Sequence, residues 1–232
     1  MSQYVFVTGT DTGVGKTEFT VALTRWLRAN GRPAVALKPL ASGDRGDARR
    51  LERAQDGLLP LDWINPWVFE RALAPLAAAR LEGRRVAMDA LIHHIRATAS
   101  LGDPVIVEGA GGLLSPMLEK ADAPELIAEL KARTVVIASN RLGVVNQVRL
   151  VWSALSAPSR KWAQIVLMEP ARADDSTGAN EAMLGEYIDP RRIHGFPRLR
   201  KVRAGKVRDA EAARVLSAVC RGLGIRAGGL GG

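Results

Sequence analysis

The stretch Gly9-Thr10-Asp11-Thr12-Gly13-Val14-Gly15-Lys16-Thr17 separates two segments of different character. Before it, Tyr4-Val5-Phe6-Val7-Thr8 is a short apolar run rich in β-branched and aromatic residues, which predicts a buried strand. After it, residues 16–29 carry apolar side chains at helical spacing, which predicts a helix. Glycines between a strand and a helix let backbone N–H groups turn inward and form, with the positive helix end, a nest for phosphate. The stretch therefore predicts a phosphate-binding loop.

The Gly15-Lys16-Thr17 ending of this loop gives its side chains a chemical role. We expect the Lys16 ammonium to reach the β- and γ-phosphates of ATP and the Thr17 hydroxyl to bind Mg²⁺. The generic pattern has its first glycine at position 10, where this chain has Thr10, with Gly9 one place earlier. The setting between strand and helix still predicts a P-loop. The predicted nucleotide contacts here are Gly13, Val14, Gly15, Lys16, Thr17 and Glu18.

The rest of the chain predicts an α/β fold. Strands alternate with helices, which favours a P-loop NTPase-like fold, three-layered and doubly wound around a mostly parallel sheet. We predict one domain over residues 1–226 and a glycine-rich tail over 227–232. Strands are predicted at residues 34–38, 105–108, 134–138, 164–168 and near 193. Further helices are predicted at residues 47–54, 73–81, 86–99, 124–132, 144–155, 179–187 and 209–223, and residues 57–70 are predicted to be a loop.

Composition and charge narrow the class of protein. No apolar run reaches the roughly 18–20 residues of a membrane-spanning helix, and the start of the chain runs directly into a strand. The single cysteine, Cys220, fits a reducing cytoplasm. The net charge of +9 attracts anions or reflects a solvated arginine-rich surface. The densest basic run, residues 191–208, holds one aromatic residue, so we predict no nucleic-acid partner and no membrane.

Three charged residues lie at predicted ligand-binding positions. Glu108 ends an apolar strand, where a carboxylate loses solvation unless it faces a cation or caps the following loop. Lys38 ends the second strand, where it either neutralises phosphate charge or extends into solvent. Asp47 begins a helix, as a magnesium ligand or as an N-cap. We predict Lys16, Lys38 and Thr12 as catalytic residues and Thr17, Asp47 and Glu108 as ligands of Mg²⁺.

Four segments together resemble the dethiobiotin synthetases: residues 7–17, 38–43, 107–112 and 140–146. The likeness covers about residues 4–150 well. It implies that 7,8-diaminononanoate, CO₂ and Mg-ATP react through a carbamate and a carbamic–phosphoric anhydride to close a cyclic urea, in biotin synthesis. It also implies a homodimer, in which the segment from Leu142 to Asn146 reaches the partner's substrate. Substrate contacts implied by the resemblance are Ser42, Gly111, Leu142, Gly143 and Asn146.

The chain departs from this family after the strand at residues 164–168. Met168 stands where the family has an asparagine for adenine, and Glu169 follows it. Methionine cannot supply the paired donor and acceptor that distinguish adenine, although it can pack on a base, so looser nucleotide use is expected. Pro197-Arg198-Leu199 lie where the family's second base-contacting loop is expected. We predict base contacts from Met168, Glu169, Pro197, Arg198 and Leu199.

Other functions of P-loop proteins leave specific signatures. Glutamine-dependent amide-forming ligases carry a nucleophilic cysteine, and Cys220 lacks that setting. Partition or positioning ATPases carry an extra lysine early in the loop, where this chain has Thr10 and Thr12. These two classes remain the alternatives. Asn140-Arg141-Leu142-Gly143 lacks the residues that read guanine in GTPases. Of the histidines, His93 and His94 are predicted to be packing or surface residues and His194 to lie in a loop.

Overall fold

The computed structural model describes residues 3–199 and 210–226. The predicted tail, and residues 200–208 of the basic run, lie outside these residues. The eight strands of the described residues are β1 (Tyr4–Gly9), β2 (Val35–Leu37), β3 (Leu40–Ser42), β4 (Trp67–Phe69), β5 (Val105–Glu108), β6 (Arg133–Ser139), β7 (Gln164–Met168) and β8 (Ile193–Phe196). Six of them form one parallel sheet in the order β2-β5-β1-β6-β7-β8, and β3 pairs with β4 in a separate parallel pair.

Helices connect the strands and cover the sheet. Within the described residues they are α1 (Lys16–Ala29), α2 (Gly46–Ala54), α3 (Leu61–Ile64), α4 (Pro75–Leu81), α5 (Met88–Thr98), α6 (Ala123–Leu130), α7 (Val144–Ala154), α8 (Ala157–Arg160), α9 (Asn180–Gly185) and α10 (Ala210–Gly222), with a 3₁₀ turn at Pro190–Arg192. In the sheet, the chain runs from the central strand β1 to β2 at one edge and returns to β5 beside β1. It then continues through β6 and β7 to β8 at the other edge. Because parallel crossovers are right-handed, this reversal puts helices on both faces. The predicted doubly wound fold is confirmed.

The core explains why the strands are continuous apolar runs. Val5, Phe6 and Val7 of β1 are fully buried, since helices cover both faces of this central strand. Phe19 of α1 meets Phe196 of β8 edge to face, with ring centroids 5.5 Å apart. This contact fixes α1, and with it the end of the phosphate loop, against the far side of the sheet. No helix in residues 3–199 or 210–226 has the length and hydropathy to span a membrane.

The predicted elements agree with the structure in the centre of the sheet and fail around the second strand. Helix α1 has the predicted bounds, as do β5 and β7. The prediction of a loop at residues 57–70 is wrong, because α3 and β4 lie there. The short helix α8 was not predicted. The strand β3, which directly follows Pro39, was not predicted either. Asn65 closes this region by donating from Nδ2 to the Lys38 carbonyl at 2.7 Å, a contact that no local periodicity indicates.

Parallel pairing places the ends of the strands at one edge. Val7 pairs with Glu108 across β1 and β5, and Leu37 of β2 pairs with Val107. The residues that follow β1 and β2 therefore lie beside Glu108, although they are far apart in sequence. Open parallel sheets bind ligands at this edge.

Candidate functional site

The phosphate loop is held open by glycines in left-handed conformations. Gly13 has φ 75° and Gly15 has φ 102°, and Gly15 is the N-cap of α1. These angles strain other residues, so glycines allow the tight curve of the backbone here. Lys16 folds back across this curve and donates from Nζ to the Asp11 carbonyl at 2.7 Å. The loop therefore already has the shape of an anion nest.

A buried trio lies beneath the loop. Lys38 Nζ is 2.8 Å from Glu108 Oε1 and also donates to the Gly109 carbonyl at 2.9 Å. Thr17 Oγ1 donates to the same Glu108 Oε1 at 2.7 Å. Glu108 is 1% exposed and Lys38 6% exposed. A carboxylate this deeply buried needs a cation and hydrogen bonds to stay charged, and both are present. The interpretations of Lys38 as extending into solvent and of Glu108 as capping a loop are therefore wrong.

Asp47 faces the same ammonium from α2. It is the second residue of that helix, whose N-cap is Arg45, and no side chain caps the helix end. The interpretation of Asp47 as an N-cap is therefore wrong. Its Oδ2 lies 3.7 Å from Lys38 Nζ, and its side chain is 48% exposed to the adjoining cleft. A partly exposed carboxylate at this position is free to accept a further ligand.

Electrostatics make Lys16 responsive to an anion. The pKa of Lys16 is lowered from 10.5 to about 8, mainly by burial and also by the nearby Lys38 ammonium, while Glu108 and Asp47 act in the opposite direction. Two ammonium groups thus lie close together with little water around them. A polyphosphate placed between them would relieve their repulsion and raise this pKa.

The chemistry of these oxygen atoms fits a magnesium ion that arrives with a nucleotide. Glu108 Oε2 is buried and accepts no hydrogen bond from the described residues. It lies on a carboxylate already contacted by the Thr17 hydroxyl. Among residues 3–199 and 210–226 no group of three or more His, Cys, Asp or Glu side chains is arranged to hold a metal by itself. Mg²⁺ bound to ATP needs only one or two protein carboxylates, because phosphates and water complete its shell.

An open cleft of about 860 Å³ extends from the trio along α2. Thr12, Lys38, Ser42, Asp47 and Gly111, all predicted site residues, line it. The buried Ser42 Oγ has no hydrogen-bond partner in the described residues. Gly111 has φ 71°, and a Cβ there would collide with the side chain of Ser115. Ser115 accepts from the Gly112 N–H at 2.8 Å. The structure therefore brings these predicted residues into one space.

Sequence reasoning missed three further residues of this cleft: Arg50, Arg53 and Ser115. Arg50 and Arg53 lie at three-residue intervals after Asp47, a spacing that puts side chains on one helix face. That interval was a usable signal for the arginines. For Ser115, only its position shortly after the glycine turn at residues 109–112 gave any indication.

The segment predicted to serve a partner subunit does not line this cleft. Leu142, Gly143 and Asn146 are all exposed, and Gly143 precedes α7 with φ 89°. The Leu142 N–H donates to Asp174 Oδ2 at 3.2 Å. Hydrogen bonds from Ser176 and from this backbone N–H hold the Asp174 pKa at about 2. Leu142 and Gly143 thus lie exposed on a loop that Asp174 contacts, and Asn146 lies exposed in the first turn of α7.

The predicted base-contacting residues lie past the end of the phosphate loop. Met168 is buried, and a Cβ at Gly15 would lie 3.0 Å from its Cγ, so it packs against the loop. Glu169 Oε1 accepts from Asn140 Nδ2 at 2.9 Å. Asn140 in turn accepts from Asn180 Nδ2 at 2.9 Å. The segment Pro197, Arg198 and Leu199 follows β8 directly, with Arg198 exposed.

The histidines and the cysteine supply no catalytic group here. His94 packs against Trp63 and Trp67, as predicted. His194 lies in β8 rather than in a loop, so that prediction is wrong, and its ring contacts Gln164 at 2.9 Å. Burial lowers the His194 pKa to about 4. Burial also raises the pKa of the Cys220 thiol to about 12, which keeps it unreactive at neutral pH.

Comparisons with known proteins give a family and a fold. A family model described as an AAA domain matches residues 3–206. A protein named ATP-dependent dethiobiotin synthetase BioD from Anaeromyxobacter sp. (strain Fw109-5) is 45% identical over 175 residues, covering 74% of this chain and 78% of the relative. A protein of the same name from Akkermansia muciniphila is 33% identical, covering 79% and 86%.

Solved structures of similar shape are distant in sequence. A pNOB8 ParA bound to nonspecific DNA has a TM-score of 0.56 at 9% identity, with coverage of 96% of this chain and 97% of that one. The cell division protein MinD from Aquifex aeolicus has a TM-score of 0.54 at 14% identity, with coverage of 95% and 96%. At these identities the likeness shows the fold alone.

Proposed function

The chain belongs to the family of ATP-dependent dethiobiotin synthetases, and we propose that it catalyses the ATP-dependent closure of a cyclic urea in biotin synthesis. The substrates are 7,8-diaminononanoate, CO₂ and ATP, and the products are dethiobiotin, ADP and phosphate. The enzyme is therefore a ligase that forms carbon–nitrogen bonds. The observation that carries this proposal is the buried Lys38–Glu108–Thr17 trio beside the phosphate loop.

The proposed mechanism relies on positioning and positive charge. One substrate amine takes up CO₂ to form a carbamate, whose oxygen attacks the γ-phosphorus of ATP. The second amine then attacks the carbonyl carbon of the resulting anhydride and expels phosphate. A carbamate is already an anionic nucleophile, so the site needs orientation more than a strong base. Lys16 and Lys38 are proposed to stabilise charge on the γ-phosphoryl group, and Thr12 to lie against it.

The proposed magnesium ligands are Thr17, Asp47 and Glu108. Magnesium would offset charge on the β- and γ-phosphates during transfer. The unpartnered Glu108 Oε2 and the half-exposed Asp47 carboxylate support this assignment. In the free protein, Lys38 supplies the positive charge that the buried carboxylate requires.

The cleft along α2 is the proposed substrate site. Its volume of about 860 Å³ accommodates a nine-carbon acid beside the γ-phosphate. The unpartnered Ser42 hydroxyl and the backbone of the half-buried Gly111 are proposed to supply hydrogen-bonding groups in it. The nucleotide base is proposed to lie beyond Gly15, against Met168, Glu169 and the segment Pro197, Arg198 and Leu199.

A second copy of the chain is the proposed partner. Three leucines near the phosphate loop or α7, Leu114, Leu142 and Leu150, are 61%, 76% and 63% exposed. A recess of about 400 Å³ between the phosphate loop and α7 separates two of them. A homodimer across this face would cover the leucines and bring Leu142, Gly143 and Asn146 to the partner's cleft. We propose a cytoplasmic homodimer that acts on small molecules, without nucleic acid or membrane.

The test is phosphate release that depends on the diamine. Purified protein with Mg-ATP and bicarbonate should release phosphate only when diaminononanoate is present, and dethiobiotin should accumulate in equal amount by mass spectrometry. Chelating Mg²⁺ with EDTA should stop both. Fast phosphate release without the diamine would favour a nucleotide-switch ATPase, and no release with it would contradict the synthetase assignment.

A further inference from the structure

The wall of the cleft formed by α2 carries two arginines that no step above uses. Asp47, Arg50 and Arg53 follow one another at three-residue intervals and all line the cleft. Ala48, Leu51 and Ala54 form the buried face of the same helix. At 1.5 Å per residue, Arg53 lies about 9 Å further along the helix than Asp47. The two guanidinium groups therefore line the outer part of a cleft whose inner end holds Lys38.

Neither arginine has a partner in the part of the chain that the structure describes. Seven other arginines there lie within 4.0 Å of a carboxylate. The two carboxylates lining the cleft are engaged elsewhere: Asp44 accepts the Gly46 N–H, and Asp47 faces Lys38 at 3.7 Å. Arg50 and Arg53 are therefore available to an anion from outside the protein.

The surroundings favour an oxyanion rather than an acidic protein surface. Besides the two arginines, the cleft is lined by the small or apolar residues Ala72, Leu73, Ala74 and Pro75, and its only carboxylates among the described residues are Asp44 and Asp47. A guanidinium offers a fork of N–H donors that matches the paired oxygens of carboxylate or phosphate. Two such groups on one helix face can each bind one edge of a small oxyanion.

We propose that Arg50 and Arg53 form an oxyanion subsite that binds a second anionic group of the reaction while the γ-phosphate lies at Lys16 and Lys38. This proposal rests on the proposed function. The reaction offers two anions of the right chemistry. One is the carboxylate of diaminononanoate, at the opposite end of the molecule from its amines, held here together with the partner segment. The other is the phosphate released when the urea ring closes.

The experiment compares three variants with the unchanged protein. Arg50→Gln, Arg53→Gln and the double variant remove the charges from the cleft wall. Arg49→Gln is the matched control, because Arg49 is exposed on the same helix and does not line the cleft. The measurements are the KM for diaminononanoate, the inhibition constant of inorganic phosphate, and the KM for ATP. Circular dichroism and thermal unfolding check that each variant is folded.

The double variant should raise either the KM for diaminononanoate or the inhibition constant of inorganic phosphate by about tenfold or more. Loss of one charged hydrogen bond has an effect of this size. Higher KM for diaminononanoate identifies the carboxylate as the occupant, and a higher inhibition constant identifies phosphate. Both constants within twofold of the Arg49→Gln values, with normal kcat, would overturn the subsite.

A separate measurement keeps the subsite testable if the enzyme assay fails. Wild-type protein that releases no phosphate with diaminononanoate contradicts the proposed function, not the subsite. Calorimetric titrations of the free protein with inorganic phosphate and with diaminononanoate then decide. An affinity for either ligand that falls about tenfold in the double variant and stays unchanged in Arg49→Gln supports the oxyanion subsite. Equal affinities for both ligands in all three proteins reject it.

Discussion

The two ends of the nucleotide site hold their residues in different ways. At the phosphate end, defined by Lys16, Thr17, Lys38 and Glu108, charged groups are buried and bonded to one another. At the base end, defined by Met168, Glu169 and residues 197–199, one apolar side chain packs on the loop and the neighbouring groups are partly exposed. A buried charged group is stable only beside an opposite charge and hydrogen-bond partners in the right positions, whereas an apolar contact tolerates other side chains of similar size.

This difference affects which positions of the proposed site tolerate substitution. Each member of the Lys38–Glu108 pair would leave an uncompensated charge behind if the other were replaced. At the base end, the resemblance to the family leads us to expect an asparagine where this chain has Met168, whose side chain fills the space beside Gly15. The contrast predicts that substitutions at the phosphate end have large effects on turnover or stability, and that those at the base end have small effects on nucleotide preference.

Lys16→Ala should have the largest effect on turnover. Loss of an ammonium from the γ-phosphate position removes stabilisation where charge develops, so diamine-dependent phosphate release should fall by about a thousandfold or more. Circular dichroism should show a folded protein, because the variant removes a buried charge that destabilises the free state. Lys120→Ala, at an exposed position, is the control. Activity within tenfold of wild type would remove Lys16 from the mechanism.

Lys38→Met should have the largest effect on stability. It leaves the fully buried Glu108 carboxylate without its cation, which costs about 3–5 kcal/mol of unfolding free energy. Glu108→Gln added to this variant should restore part of the loss, since the uncompensated charge is gone. Urea unfolding of both single variants and the double variant measures this coupling. Additive losses would show that the pair does not act as one unit.

The affinity for ATP should depend on pH in a defined window. The pKa of free Lys16 is about 8, and bound phosphates raise it, so binding ATP above pH 8 takes up a proton. Affinity should stay level below pH 8 and fall by up to about tenfold per pH unit above it. Calorimetry between pH 7 and 9.5 measures this. Lys16→Arg should flatten the curve, because arginine stays charged; an unchanged slope there would assign the titration to another group.

The base end should show the smallest effect. Without an amide at position 168, discrimination between ATP and the other nucleoside triphosphates should stay within about tenfold in kcat/KM, roughly one hydrogen bond. Met168→Asn should increase the preference for ATP by several-fold. A panel of four triphosphates with both proteins measures the change. Strong selection of ATP by the wild-type protein would mean that backbone groups read the base.

The sequence predicted those parts of the fold that local patterns determine. Helix α1 was predicted to the residue, because a glycine loop starts it and Asn30-Gly31 ends it. The pair β3 and β4 was not predicted, because each strand has only three residues and neither lies in a longer apolar run such as the one at residues 34–38 that indicated β2. Their position depends on Asn65, whose amide bonds a backbone carbonyl 27 residues away in sequence.

The same limit applies to the candidate site. The sequence predicted that Lys38 and Glu108 lie at the ends of strands, but the 2.8 Å contact between them arises from the β2-β5-β1 strand order. The Thr17 contact with Glu108 likewise depends on register. Arg50 and Arg53 were missed because exposed arginines are common in this chain. Only the position of the cleft distinguishes them from Arg49 on the same helix.

The shared oxygen of Glu108 has a further consequence for how ligands enter. In the free protein the carboxylate is neutralised by the ammonium of Lys38, so the floor of the pocket carries no net charge before anything binds. A magnesium ion that arrives with a nucleotide can also face this carboxylate, which leaves the ammonium groups of Lys16 and Lys38 to face the phosphates. Loading then adds a ligand at the unpartnered Oε2, while Thr17 and Lys38 already hold Oε1.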